Sequence, residues 1–367
     1  MEQSLPEVAQ KQLSFFSFPN GRGRTLLNYD LIPRYLHDRA QKKVLLSEHA
    51  NRPPRVIQMS ESERYEIRPA ILSCPVKGVT NDDGTPKEEQ YAIYPGTRES
   101  LIEECLILFA QNGEFSIEKG EPGYRFDKNS NGIGVCFTLY QLRIELKRKG
   151  KEYRLDELRE GIEVLALAKY RYLDDQDTNR IRGYIVSELD SIPNPDPNDK
   201  IRSDRIMYAL FDPRASRRIL GGHYRSYDAQ CALSMKSPIA RYLYKQFTHN
   251  WQQANKKRQT GSYRIVEQNE SILASGCPLL SNPTKRKDNI ITALNELSQA
   301  GIIEKLNEER DIVPVKSGRK VVDVHFMVHP TNMFIKQQIE GFKHLQESLA
   351  FGRDIDEKTK SRMIQVN

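Results

Sequence analysis

The sequence predicts an α+β protein in which one order of elements (helix, strand, helix, helix, β-hairpin) occurs twice behind a partly extended N-terminal region. Three observations carry this. Apolar residues recur at helical spacing in two groups of segments, β-rich runs follow each group, and a Pro/Asn/Asp run, SIPNPDPNDK at 191–200, stands between them in a composition that suits a linker. The 367 residues suggest two or three domains, and 13 Phe with 17 Tyr exclude wholesale disorder despite 29% charged residues.

Residues 1–97 are the least regular. They hold NGRGR at 20–24, LLNYDLIPRYL at 26–36 as a short helix, Pro53-Pro54, and NDDGTP at 81–86, which predicts a mobile loop near 80–90. Leu101, Ile102, Cys105, Leu108 and Phe109 then recur at helical spacing, an amphipathic helix that stops at Asn112-Gly113. VCF at 135–137 is a short strand. Thr138 caps a helix carrying Leu139, Leu142 and Leu146, and a third helix carries Leu155, Leu158, Ile162 and Leu165. KYRYL at 169–173 and IRGYIVSEL at 181–189 flank DDQDTN as a hairpin.

After the linker the order returns. MYALF at 207–211 is strand-like, and SPIARYLYKQFTHNW at 237–251 opens on a Ser cap and a Pro at the first helical position, with Ile239, Leu243 and Phe247 on its apolar face and Tyr242 alongside. SYRIV at 262–266 and a short helix over Asn269–Leu273 follow. The clearest helix is NPTKRKDNIITALNELSQAGII at 282–303, capped by Asn282, begun by Pro283, and striped by Ile290, Leu294 and Leu297 up to Gly301. IIEKLNE at 302–308 and KVVDVHFMV at 320–328 form a second hairpin with Ser317-Gly318 at its tip, and a helix over Asn332–Leu349 precedes a polar tail. This order is that of a winged helix-turn-helix. The predicted architecture is two such domains in tandem, at 98–190 and 201–345, with an extended region at 1–97, a linker at 191–200 and a tail at 346–367.

Charge separates the two units. The net charge of +7 is concentrated in residues 200–300, where 17 Lys and Arg face 7 Asp and Glu, while 98–190 carries a net −3. A single basic block on a near-neutral chain is the footprint of a polyanion binder. The longest apolar run, LILFA at 106–110, is far short of a bilayer span, and the polar start MEQSLPEVAQ is no signal peptide. Five cysteines without a CxxC pair fit reduced thiols better than disulfides or structural zinc. Together these predict a soluble intracellular protein, cytoplasmic and nucleoid-associated. The chain contains no GxxxxGK[ST], HExxH or GxSxG, and YRSY at 224–227 lacks the metal triad a tyrosine nucleophile would use. His325 and His329 share one strand face about 13 Å apart, too far for a rolling-circle His pair. No catalytic residue, metal or cofactor is expected.

A winged helix places its third helix in the major groove. On the 282–301 helix the face opposite the stripe shows Lys285, Asp288, Asn289, Thr292 and Gln299, flanked by Arg286 and Lys287. Lys and Arg suit phosphates or guanine, Asn suits adenine, and a Thr methyl suits thymine. Lys256, Lys257 and Arg258 add a basic run. The third helix of the first unit instead turns out Asp156, Glu157, Glu160 and Glu163 with only Arg154 and Arg159 positive, so its domain is expected to meet protein or to touch DNA through Lys147, Arg148, Lys149 and Lys151.

SPIARYLYKQF at 237–247, the helix TKRKDNIITALNELSQAGII and the hairpin after it resemble the iteron-binding plasmid replication initiators, which carry two winged-helix domains. The order LIEECLILFA, VCFTLYQLRIELKRKG, YRLDELREGIEVL makes the first unit similar as well. The resemblance implies that the second domain reads double-stranded origin repeats, that the first serves dimerisation and auxiliary DNA contact in a monomer–dimer equilibrium, and that a host initiator, helicase or primase is recruited. The expected function is sequence-specific, non-enzymatic DNA binding at an origin. A winged-helix transcriptional repressor and a DNA nicking or joining enzyme are the alternatives.

Overall fold

Among the described residues up to 93, the named elements are strands. The computed structural model describes residues 22–26, 33–37, 43–46, 55–59, 64–110, 113–116, 120–127, 132–173, 180–183, 186–192, 206–211, 224–251, 253–257, 261–343 and 346. Strands β1 (Arg22–Leu26), β2 (Lys43–Leu45), β3 (Arg55–Gln58) and β4 (Arg64–Arg68) precede a long hairpin, β5 (Ala70–Thr80) and β6 (Pro86–Ile93). That hairpin corrects the predicted mobile loop. Asn81 N–H donates to the Thr85 carbonyl at 2.8 Å, Asp83 Oδ1 accepts from the N–H and hydroxyl of Thr85 at 2.9 and 2.6 Å, and Gly84 takes φ +80°. The Asp-Gly pair therefore closes a tight reversal. Residues 33–37 are not helical, and 27–32 of the predicted short helix lie outside the described residues.

Helix α1 (Thr97–Ala110) is buried on every side, its charged Arg98, Glu99, Glu103 and Glu104 included, and so is not the half-exposed amphipathic helix expected. β7 (Gly123–Asp127), β8 (Gly132–Phe137), α2 (Leu139–Arg148) and α3 (Leu155–Leu167) follow. Thr138 and Gln141 cap α2 reciprocally, hydroxyl to N–H at 3.1 Å and amide oxygen to N–H at 2.7 Å. α3 lies so close to α1 that a Cβ on Gly161 would stand 2.5 Å from Ile102 Cδ1.

The chain continues through β9 (Lys169–Leu173), β10 (Arg180–Gly183), β11 (Val186–Ile192), β12 (Ile206–Phe211) and β13 (Tyr224–Asp228). Here the pairing departs from the predicted first winged helix. The β9–β10 hairpin does not fold back on β8 but joins β4 and β3 in the order β10-β9-β4-β3, while β8 lies inside the sheet β11-β12-β8-β7. Ile133, Val135, Cys136 and Phe137 are all fully enclosed, as suits a strand inside a sheet with both faces covered. β12, predicted to follow the linker, pairs with β11 before it, and β1 pairs with β13, so strand pairing crosses the 191–200 boundary. Residues 193–200 lie outside the described set.

The second block comprises α4 (Ala229–Ser234), α5 (Pro238–Asn250), β14 (Arg264–Glu267), α6 (Gln268–Ala274), α7 (Pro283–Gln299), α8 (Glu308–Asp311), β15 (Ile312–Ser317), β16 (Lys320–Val328) and a helix α9 over 332–343. Its three strands close on one another in the order β14-β16-β15. The hairpin begins at Ile312 and not within 302–308 as predicted. Gly301 at φ +71° with Ile302 N–H on the Leu297 carbonyl at 2.9 Å ends α7, and the buried Ile302 and Ile303 seal that end. Beyond 346 the predicted tail lies outside the described residues. Among the described residues one large hydrophobic core runs through both blocks, with the rings of Phe247, Trp251 and Phe334 in edge-on and tilted contact within it.

Gly276 ties the N-terminal segment to the second block, its carbonyl accepting from His37 N–H at 2.9 Å. It takes φ +78°, and a Cβ there would fall 1.7 Å from the Tyr35 carbonyl oxygen. Gly276→Ala is expected to cost about 2–3 kcal/mol in urea denaturation. A variant as stable as the parent would contradict this packing.

Candidate nucleic-acid interface

The local sequence dictates how α7 is presented. Asn282 Oδ1 accepts from the N–H groups of Thr284 at 2.9 Å and Lys285 at 3.4 Å, and Pro283 occupies the first turn. Ile290, Ala293, Leu294 and Leu297 are buried, and Lys285, Asp288, Asn289, Thr292 and Gln299 lie on the other side, all exposed. The side chains of Lys285, Lys287 and Asn289 have no partner among the described residues; Lys287 is half-buried. Thr292 donates its hydroxyl to the Asp288 carbonyl at 2.8 Å, which commits that proton and leaves its methyl and the oxygen's lone pairs for a ligand.

Arg286 differs from its expected place on the flank. At about 100° per residue it lies one turn before Ile290 on the buried side. Its Nη1 donates to Asn269 Oδ1 at 2.9 Å, and its Nε is enclosed without a hydrogen-bond partner among the described residues. Asn269 in turn donates its side-chain amide to the Val322 carbonyl at 3.1 Å and its backbone N–H to Asp323 Oδ1 at 3.2 Å. Arg286 and Asn269 thus fasten α7 to α6 and to the hairpin. This arginine is half-buried and holds the geometry.

The other sequence-selected cations are scattered. Lys256 pairs with Glu304 at 2.6 Å, Lys257 is exposed, and Arg258 lies outside the described residues. Lys147 pairs with Glu152 at 3.1 Å, and Lys149 caps the end of α2. Lys151 is half-buried, and burial, with the charges of Arg241 and Lys236 against the pull of Glu296, pushes its ammonium below the usual lysine range. The turn after α2 therefore sits beside the second block. At the start of α3, Arg154 pairs with Asp156 at 2.9 Å, and farther along Glu160 pairs with Arg98 at 3.0 Å. Tyr227 of YRSY is buried, its ring 5.9 Å from that of Tyr244 in an edge contact, and is a core residue.

Sequence reasoning missed Lys316, Arg319 and Lys320. They crowd the tip of the β15–β16 hairpin, where Ser317 pairs with Lys320 around a two-residue turn with Gly318 at φ +61°. All three are exposed and have no partner among the described residues. The signal was present in KSGRK, a turn with basic residues on both sides.

No known protein family matches the chain, nor does any curated protein. Two solved structures align along most of its length: SeMet derivatives of domain 2 and domain 3 of RctB, 12% identical over 81% of this chain and 95% of that one at a TM-score of 0.40, and RctB domains 2-3 (RctB-155-483), 11% identical over 85% and 99% at 0.41. Neither likeness is close enough to carry a role across. Among the described residues no helix is long and apolar enough to cross a membrane.

The two neighbouring cations at the start of α7 are expected to separate in a denaturation experiment. Arg286→Ala, which breaks a charged hydrogen bond to Asn269, is expected to lower stability by about 1–2 kcal/mol, and Lys285→Ala by less than about 0.5 kcal/mol. Equal losses would mean that Arg286 is not the anchor described.

Proposed function

We propose that residues 238–328 form a winged-helix unit that binds double-stranded DNA with α7 in the major groove and the basic hairpin tip on the backbone, and that the chain is a sequence-specific replication initiator that catalyses no reaction itself. One observation carries the DNA reading: α7 is fixed at both ends and along its stripe, while Lys285 and Asn289 on its free face have no partner among the described residues, and the hairpin tied to α7 through Asn269 ends in three cations likewise unpaired. Rigid presentation of unpaired donors is what base readout requires. The +10 surplus of residues 200–300 supports the same reading.

The block before it has a different role in this proposal. The acidic surface of α3 favours contact with protein, self-association or a host replication factor, and Lys147, Lys149 and Lys151 supply auxiliary backbone contact. The initiator assignment rests on the resemblance in SPIARYLYKQF and in the α7 segment. Sequencing the DNA that co-purifies with the protein tests it: directly repeated sites near an origin support initiation, and a lone promoter palindrome supports repression. Supercoiled DNA carrying those sites is expected to remain uncut with Mg²⁺ or Mn²⁺.

On the recovered site, Asn289→Ala is expected to cost about 1–3 kcal/mol and to leave binding to random DNA nearly unchanged. Arg319→Ala and Lys320→Ala are expected to weaken both kinds of DNA alike and to flatten the plot of log K against log salt by about 0.9 for each phosphate no longer neutralised. Binding isotherms across a salt series distinguish these outcomes. An Asn289 loss that is equal on both DNAs would remove α7 as the reader.

A further inference from the structure

We propose that Glu267, Asp323 and His325 form a binding site for a divalent transition-metal ion on the outer face of the β14-β16-β15 sheet. Glu267 on β14 is the direct cross-strand partner of His325 on β16, and Asp323 lies two residues earlier on the same strand. The period of a strand puts all three on one face, opposite the buried Val324, Phe326 and Val328. Their ligand atoms converge to within 4.8 Å of one another.

The imidazole is what makes this more than a patch of negative charge. Among the described residues the side chains of His325 and Glu267 have no hydrogen bond or ion pair, although the block around them is rich in Lys and Arg. Asp323 uses one oxygen, Oδ1, to accept from the N–H groups of Asn269 at 3.2 Å and Val324 at 2.8 Å, which fixes the carboxylate and leaves Oδ2 available. Two carboxylate oxygens and one imidazole nitrogen form a donor set suited to Zn²⁺, Co²⁺ or Mn²⁺, more than to Mg²⁺ or Ca²⁺, which prefer oxygen alone. Three protein ligands leave a position for water. His329 takes no part: its Nδ1 donates to the Ser262 carbonyl at 2.9 Å, and its Nε2 lies 3.8 Å from Asp311.

An ion here would join β14 to β16 at the root of the hairpin, beside the Asn269 link to Arg286. It would therefore brace the hairpin against α7.

Co²⁺ titration of the full-length protein after chelator treatment is the direct test, followed by absorption spectroscopy, with Zn²⁺ as competitor and thermal unfolding as a second readout. One equivalent of Co²⁺ is expected to give the visible bands of a low-coordinate site, Zn²⁺ to displace it, and metal to raise the melting temperature. Glu267→Gln and His325→Ala are each expected to weaken binding by roughly tenfold or more. Asp323→Asn, which keeps the Oδ1 acceptor and so the local fold, should do the same, and His329→Ala should leave binding intact. Absence of a one-equivalent site, or binding unchanged by both Glu267→Gln and His325→Ala, would overturn the proposal.

Discussion

Glu103 and Glu104, adjacent on one enclosed helix, decide how the chain is assembled. A buried carboxylate is tolerated only when a cation and hydrogen bonds replace its water. Glu103 accepts from Arg34 Nη1 with both oxygens, at 2.9 and 3.0 Å, and from the Tyr35 hydroxyl as well. Glu104 pairs with Lys245 of α5 at 2.5 Å. One residue thereby fixes the N-terminal segment and the next fixes the second block. Removing a single partner would strand a charge in the interior at about 3–5 kcal/mol, so the helix has little freedom to be packed in another way.

The consequences reach the candidate interface through α5. Its buried face carries Ile239, Leu243, Tyr244 and Phe247 into the shared core, and its start is held by α7 itself: Glu296 accepts from the N–H groups of Lys236 and Ser237 at 3.1 and 3.0 Å. α7 is thus gripped near its end by the turn before α5 and near its beginning by Arg286 and Asn269. Two grips and an apolar stripe leave only the Lys285–Asn289 face to vary. A helix held in this way presents side chains to a partner at little cost in ordering.

Much of this was legible in the sequence, and the reasons are local. α5 and α7 each declare themselves by a cap, a proline and an apolar stripe, all within one turn of the residues they organise. Even the role of Arg286 is written in the 3.6-residue period, which places it in phase with Ile290. The first block was less legible because its strands pair over long stretches of sequence: β8 with β12, β9 with β4, β1 with β13. Short apolar runs do not encode which distant run they join, and the order of elements alone suggested a hairpin folding back on its own strand. Ile302 and Ile303 misled for the opposite reason. Their apolar side chains seal a helix end, and nothing in their composition separates that from the start of a strand.

The central claim is that DNA meets α7 and the hairpin tip and leaves the acidic α3 aside. Hydrogen–deuterium exchange of the free and DNA-bound protein tests it most directly. The account predicts new protection over 283–292 and 316–320 with no change over 155–167. Protection confined to 155–167, with α7 and the hairpin tip exchanging as in the free protein, would contradict it.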